Sequence, residues 1–193
     1  DTTGREITLP EFDVINYDLL SPLQHIKYRL IAVKKGGKWG IITKRGKLQL
    51  GFNYDRIDVF YIADKSISLM VKQGAKYGIL SQNMVKLTPV KYDSIVVTGD
   101  YSIPNHARFF MNARLNRRWG LLDYDGKELT PFKYDSYMYF KDGIAFVKVD
   151  GKYGIVNVKG REIAACIYDD IHSSSSYENK YHNDYHLIVK KDN

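Results

Sequence analysis

Aliphatic and polar residues alternate in short runs along this chain, and the runs return in a fixed relation to an aromatic residue. Ile31 and Val33, Leu69 and Val71, Met111 and Ala113, and Ala145 and Val147 each stand two apart. That spacing puts each pair on one buried face of a strand. Six residues after each pair come Trp39, Tyr77, Trp119 and Tyr153. Two positions later Ile41, Ile79, Leu121 and Ile155 share the ring's face, with a glycine between. The ring reads as a core anchor, and the glycine as a place where another backbone or ring approaches closely.

These positions belong to a repeat. "KWGIITKRGK" recurs as "KYGILSQNMV", "RWGLLDYDGK" and "KYGIVNVKGR". Each anchor precedes a Tyr-Asp pair by fifteen residues, at Tyr54, Tyr92, Tyr134 and Tyr168, and successive anchors lie 38, 42 and 34 apart. "TKRGK", "DYDGK" and "NVKGR" are turns, with Gly46, Gly126 and Gly160 free to take positive φ. "LTPVKYD" and "LTPFKYD" give a short strand broken by proline, and a further strand follows each Tyr-Asp pair. No stretch has helical periodicity. Each unit is three or four short strands.

Residues 4–15, "GREITLPEFDVI", match the second half of a unit, with Phe12-Asp13 in the Tyr-Asp place. Residues 185–193, "YHLIVKKDN", match the first half, with Leu187 and Val189 on the core positions. The two half-units predict a small closed five-unit, propeller-like toroid whose fifth unit is split between the termini, since closure removes open sheet edges. An open β-repeat array is the alternative.

The lines "KWGIITKRGK…YDRI" and "RWGLLDYDGKELTPFKYD" resemble the WG-repeat (KWG) proteins, found mainly in bacteria. The resemblance covers nearly the whole of residues 1–193, read as a single WG-repeat domain, and implies no particular activity.

Composition refines this picture. Sixteen tyrosines suit strands and amphipathic surfaces. One cysteine, Cys166, excludes an intrachain disulfide; it shares a column with Phe52, Val90 and Phe132 and reads as a small core residue. No apolar run approaches the roughly 18 residues of a membrane-spanning helix, so no integral membrane segment is expected. The opening "DTTGREITLP" has neither the basic nor the apolar region of a signal peptide.

The net charge of +7 is distributed periodically. Lys34, Lys72, Arg114 and Lys148 stand five residues before the anchors, and Lys38, Lys76, Arg118 and Lys152 one before. In a ring they make a basic belt for an anionic glycan or nucleic acid. They also suit pairing with the equally periodic Asp55, Asp93, Asp135 and Asp169. Carboxylates set one per repeat lie too far apart for paired acid-base catalysis; an Asp after Tyr more often accepts backbone N–H bonds in a turn. "DYDGKE" lacks the full ligand set of a calcium loop, and His182 and His186, four apart, promise no metal geometry outside a helix. No nucleophile elbow, phosphate loop, dinucleotide fingerprint or zinc-protease motif occurs, so no enzyme, cofactor or metal is expected.

What does not repeat is the better place for function. The inter-repeat segments at 16–25, 61–65, 98–108, 139–143 and 172–186 should emerge on one face. They carry Tyr17, Tyr61, Tyr101, His106, Tyr139, Tyr177, Tyr181 and Tyr185. The sequence thus predicts a non-catalytic interaction module that offers loop aromatics to a protein, peptide or glycan. The alternatives are anionic-polymer binding through the basic columns and an accessory domain of a larger enzyme. A bacterial, extracytoplasmic setting is favoured.

Overall fold

A computed structural model describes residues 11–16, 19, 30–62, 66–100, 108–174 and 186–191. Secondary structure among them is all β. The strands are β1 (Val14–Asn16), β2 (Leu30–Lys35), β3 (Lys38–Thr43), β4 (Leu48–Tyr54), β5 (Arg56–Ile62), β6 (Ser66–Gln73), β7 (Lys76–Ser81) and β8 (Ser94–Asp100). They continue with β9 (Arg108–Leu115), β10 (Arg118–Leu122), β11 (Ile144–Val149), β12 (Lys152–Asn157), β13 (Glu162–Tyr168), β14 (Asp170–Ser174) and β15 (His186–Lys190). They form small antiparallel sheets ordered β1-β2-β3-β4, β5-β6-β7, β10-β9-β8, β11-β12-β13 and β14-β15. The chain changes sheet at each Tyr-Asp pair: β4 ends at Tyr54, and β5 opens the next sheet at Arg56.

The repeated centre is a tight hairpin. Lys35 faces Lys38, Leu115 faces Arg118 and Val149 faces Lys152 across two-residue connections. Those loop residues carry the positive φ that matches strand twist, even where they are Asn116 and Arg117. The glycine after the anchor is forced by crowding. A Cβ on Gly40 would lie 2.8 Å from both the Leu50 carbonyl oxygen and the Phe52 ring. The equivalent neighbours are Val90 at Gly78, Phe132 at Gly120 and Cys166 at Gly154. The register between β3 and β4 slips here, from Trp39 opposite Tyr54 to Ile41 opposite Leu50, so the last strand bulges and lays Phe52 on the glycine.

In the two copies with Thr-Pro, proline supplies no N–H to this ladder. The threonine hydroxyl substitutes for the lost regularity. Thr88 Oγ1 accepts from Ile79 N at 2.9 Å, and Thr130 Oγ1 accepts from Leu121 N at 2.8 Å. Both threonines are buried.

Packing divides the chain into two compact units, residues 1–95 with 124–127, and 96–123 with 128–193. In the first, Leu30, Ala32, Ile41 and Tyr54 of one sheet pack against Ile57, Ile67, Leu69, Val71 and Leu80 of the next. In the second, Phe110, Leu121 and Tyr134 pack in the same way against Ala145, Val147 and Val156, joined by Met138 and Phe140. One packing rule is thus used twice: residues nine before an anchor, or two after it, meet residues six and eight before, or three after, the following anchor, with Ala32 seven before joining them in the first unit alone.

Two expectations are corrected. In the first repeat the aliphatic pair does not mark a single buried face, because Leu30, Ile31, Ala32 and Val33 are all buried; in the fourth it does, with Ala145 and Val147 buried and Phe146 between them 41% exposed. Ile31 and Val33 pack with Ile42, Phe12 and Phe52 on the other side of the sheet, which is sandwiched. Nor are the anchor rings the deepest aromatics. Trp39 and Trp119 are only partly buried, whereas Tyr54, Tyr92 and Tyr134 of the Tyr-Asp pairs are buried.

Candidate binding surface

The periodic charges come together as a clasp between consecutive sheets. Asp55 takes the Lys38 ammonium of its own repeat, accepts from Gly74 N of the next hairpin at 2.6 Å, and donates its own N–H to Lys72 O at 2.8 Å. Asp135 does the same with Arg118, Gly151 N and Lys148 O. Lys76 pairs with Asp93, and Lys152 with Asp169. Asp13 accepts from Gly37 N and donates to Lys34 O, so Phe12-Asp13 does fill a Tyr-Asp place. The Lys38 ammonium, with the Gly74 amide, holds the Asp55 carboxyl below the usual carboxylate range.

The other basic column lies over the anchors. Lys34 is 5.8 Å from the Trp39 ring centroid, Lys72 is 5.5 Å from Tyr77, and Lys148 is 4.5 Å from Tyr153. Arg114 is half-buried, and its Nε is enclosed with no hydrogen-bond partner among the described residues. Arg118 also binds Asp150 at 2.6 Å. Seven of the eight cations in these columns therefore have partners within the scaffold.

Of the loop-face residues, Tyr17, Tyr101, His106, Tyr177, Tyr181 and Tyr185 lie outside the described residues, as does His182. Tyr61 belongs to β5. Tyr139 is 63% exposed, on a segment that departs from the repeat. After Tyr54, Tyr92 and Tyr168 the third following residue is Ile57, Ile95 or Ile171, and each is buried. After Tyr134 that place is taken by Tyr137, 46% exposed, and the buried residues are Met138 and Phe140. The apolar phase has slipped by one, which reverses the direction of every side chain.

A buried side chain holds this segment in place. Asn112 sits seven residues before its anchor, where the other repeats have Ala32, Met70 and Phe146. Its Oδ1 accepts from Met138 N at 2.8 Å, and its Nδ2 donates to Met138 O at 3.2 Å and to Thr98 Oγ1 at 3.0 Å. Thr98 Oγ1 donates to Met138 O as well, at 3.2 Å. Farther along, buried Asp100 accepts from Gly143 N at 2.9 Å. Residues 136–141 accordingly form no strand with β11. Backbone pairing with it remains at the ends, through Asp135 N to Lys148 O and the Lys141–Ile144 bridge. On either side of buried Met138, Tyr137 and Tyr139 project outward, and Tyr137 meets the Trp119 ring edge-on at 5.5 Å.

Residues 119–153 and 153–193 each match the family model described as WG containing repeat. Residues 119–193 are WG repeats. The first match contains both Tyr137 and Tyr139, and the second contains β13. No curated protein matches the chain. Sequence reading alone missed Tyr137, inside the first match, and the Thr98–Asp100–Asn112 cluster, which precedes it. The signal was present: a polar Asn in an otherwise apolar column, and Tyr where the other copies have Ile.

Other chemistry is scaffold chemistry. Lys133 lies 2.5 Å from Glu162, which also accepts from the Tyr134 hydroxyl at 2.8 Å. Lys133, then Tyr134, keeps the Glu162 carboxyl below its usual range, while burial and Glu162 raise the Tyr134 phenol. Burial raises the Cys166 thiol too, which disfavours the reactive thiolate. Among the described residues no cluster of His, Cys, Asp or Glu could hold a metal ion, and no helix is long and apolar enough to cross a membrane.

Proposed function

We propose that this chain is a non-catalytic binding module whose contact surface is centred on Tyr137 and Tyr139. The observation that carries this reading is two exposed tyrosines on an irregular segment whose backbone is fixed from beneath by Asn112. An aromatic with a polar tip offers large contact area for the loss of few rotamers. A segment already fixed before binding also avoids the ordering cost that weakens flexible loops. Tyr-rich surfaces of this kind suit a protein, peptide or glycan partner. The basic columns support a weaker claim on anionic polymers, because most of their cations are already engaged with aspartates and rings.

The test is a screen of peptide and glycan arrays with the whole chain, repeated with a Tyr137→Ala/Tyr139→Ala variant. Binding should fall roughly tenfold or more in the variant, with an unchanged melting temperature. Array binding that the double variant retains would sink this reading. Heparin retention that survives physiological salt would favour the anionic alternative.

The finer architecture stands with this proposal: a closed five-unit ring in which residues 4–15 and 185–193 supply one unit. Its support is in the sequence, where Gly4-Arg5-Glu6-Ile7 repeats Gly160-Arg161-Glu162-Ile163. Removal of residues 1–15 should then abolish cooperative unfolding, and a cooperative, barely shifted melt would refute closure.

A further inference from the structure

The outer strands of the repeats differ at three positions, ten, twelve and fourteen residues after the anchor. The first repeat has Gln49, Gly51 and Asn53 there, the second Leu87, Pro89 and Lys91, and the third Leu129, Pro131 and Lys133. Proline and lysine at an outer strand blunt it against association. The fourth repeat has Ile163, Ala165 and Ile167 instead. Along β13 these three are exposed while Glu162, Ala164, Cys166 and Tyr168 turn partly inward. Ile163 is 51% exposed and Ile167 is 45% exposed. The strand lies at the edge of its sheet, after β12.

We propose that this rim is a contact between two copies of the chain, arranged antiparallel about Ala165. The sequence around Ala165 is self-complementary. A two-fold axis there sets Ile163 against the second copy's Ile167 and Ile167 against its Ile163, with alanine at the centre. The charges agree with that direction. Exposed Lys159 and Arg161 flank one end of the strand, and Asp170 flanks the other, beyond the Asp169 that Lys152 holds, so antiparallel copies bring the basic end towards Asp170 and parallel copies do not. An isologous contact of this kind closes on itself as a dimer instead of propagating. The rim shares no residue with the Tyr137–Tyr139 platform, so the dimer does not depend on the proposed binding function.

Sedimentation of the whole chain over a range of micromolar concentrations tests the contact. A concentration-dependent dimer is expected, weakened roughly tenfold or more by Ile163→Lys with no loss of melting temperature. Arg161→Asp and Asp170→Lys should each weaken self-association, and an equimolar mixture of the two variants should restore it, since only the mixed pair opposes unlike charges at both ends. Restoration is not expected of variants that merely misfold. A monomer at every concentration, a dimer indifferent to Ile163→Lys, or a mixture that fails to recover overturns the proposal.

Discussion

The second and fourth repeats leave the same Tyr-Asp clasp and then diverge. After Asp55, β5 pairs with β6 residue by residue from Arg56–Lys72 to Ile62–Ser66. After Asp135 the first hydrogen bond to Lys148 forms, and then the chain leaves the ladder until Lys141 meets Ile144. Asp58 pairs with Met70 in the second repeat; at the equivalent place Met138 gives both its N–H and its C=O to Asn112. Two small changes produce this, an aromatic where isoleucine belongs and an asparagine where an aliphatic belongs. The phase slip turns Met138 inward, and the buried amide then makes its departure from the ladder affordable, because the peptide groups stay bonded. The repeat is a scaffold that tolerates local desertion of one strand, since its core and its clasps are set by other residues.

The sharpest way to break the comparison is Asn112→Leu. It strips two buried hydrogen bonds from Met138 and should cost about 2–3 kcal/mol in chemical denaturation, more than any change at the exposed tyrosines. A loss below the resolution of the measurement would mean the segment is held by Met138 and Phe140 packing alone. Next in size is removal of Tyr137, which returns Met138 to the isoleucine phase. Hydrogen exchange should then show the Phe146 amide gaining roughly tenfold protection as residues 136–140 rejoin β11, approaching that of the Met70 amide. No gain would show that phase is not what expels the strand.

The smallest effect concerns what the two repeats share. Asp55 is depressed by Lys38 and the Gly74 amide, so its contribution is present above the ordinary carboxylate value, about pH 4, and is lost as pH falls through its lower native value. Asp55→Asn should therefore flatten the acid limb of the stability profile and leave neutral-pH binding at Tyr137 and Tyr139 unchanged. A variant that loses binding instead would tie the platform to the clasps.

Much of the fold could be read directly. Trp39, Tyr77, Trp119 and Tyr153, with their glycines and Tyr-Asp pairs, declare the unit because each position answers a local requirement: a two-residue turn, a close approach, a bulge. The Lys–Asp partnership was visible as two columns of matched period. Burial on both faces of β2 was less accessible, because Leu30 and Ala32 become core only when the following sheet supplies Leu69 and Val71. The platform was harder still, for it depends on Asn112 reaching Met138 across 26 positions of sequence.

By itself, then, the sequence determined the repeat, its strands, its turns and the charges that fasten one sheet to the next, since these rest on spacings shorter than a unit. Only the tertiary structure decided which aromatics are buried, which aliphatics meet across sheets, and that Tyr137 and Tyr139 stand outward on a fixed backbone. Those outcomes rest on long-range contacts, where a buried amide far away in sequence competes with a neighbouring strand for the same peptide groups.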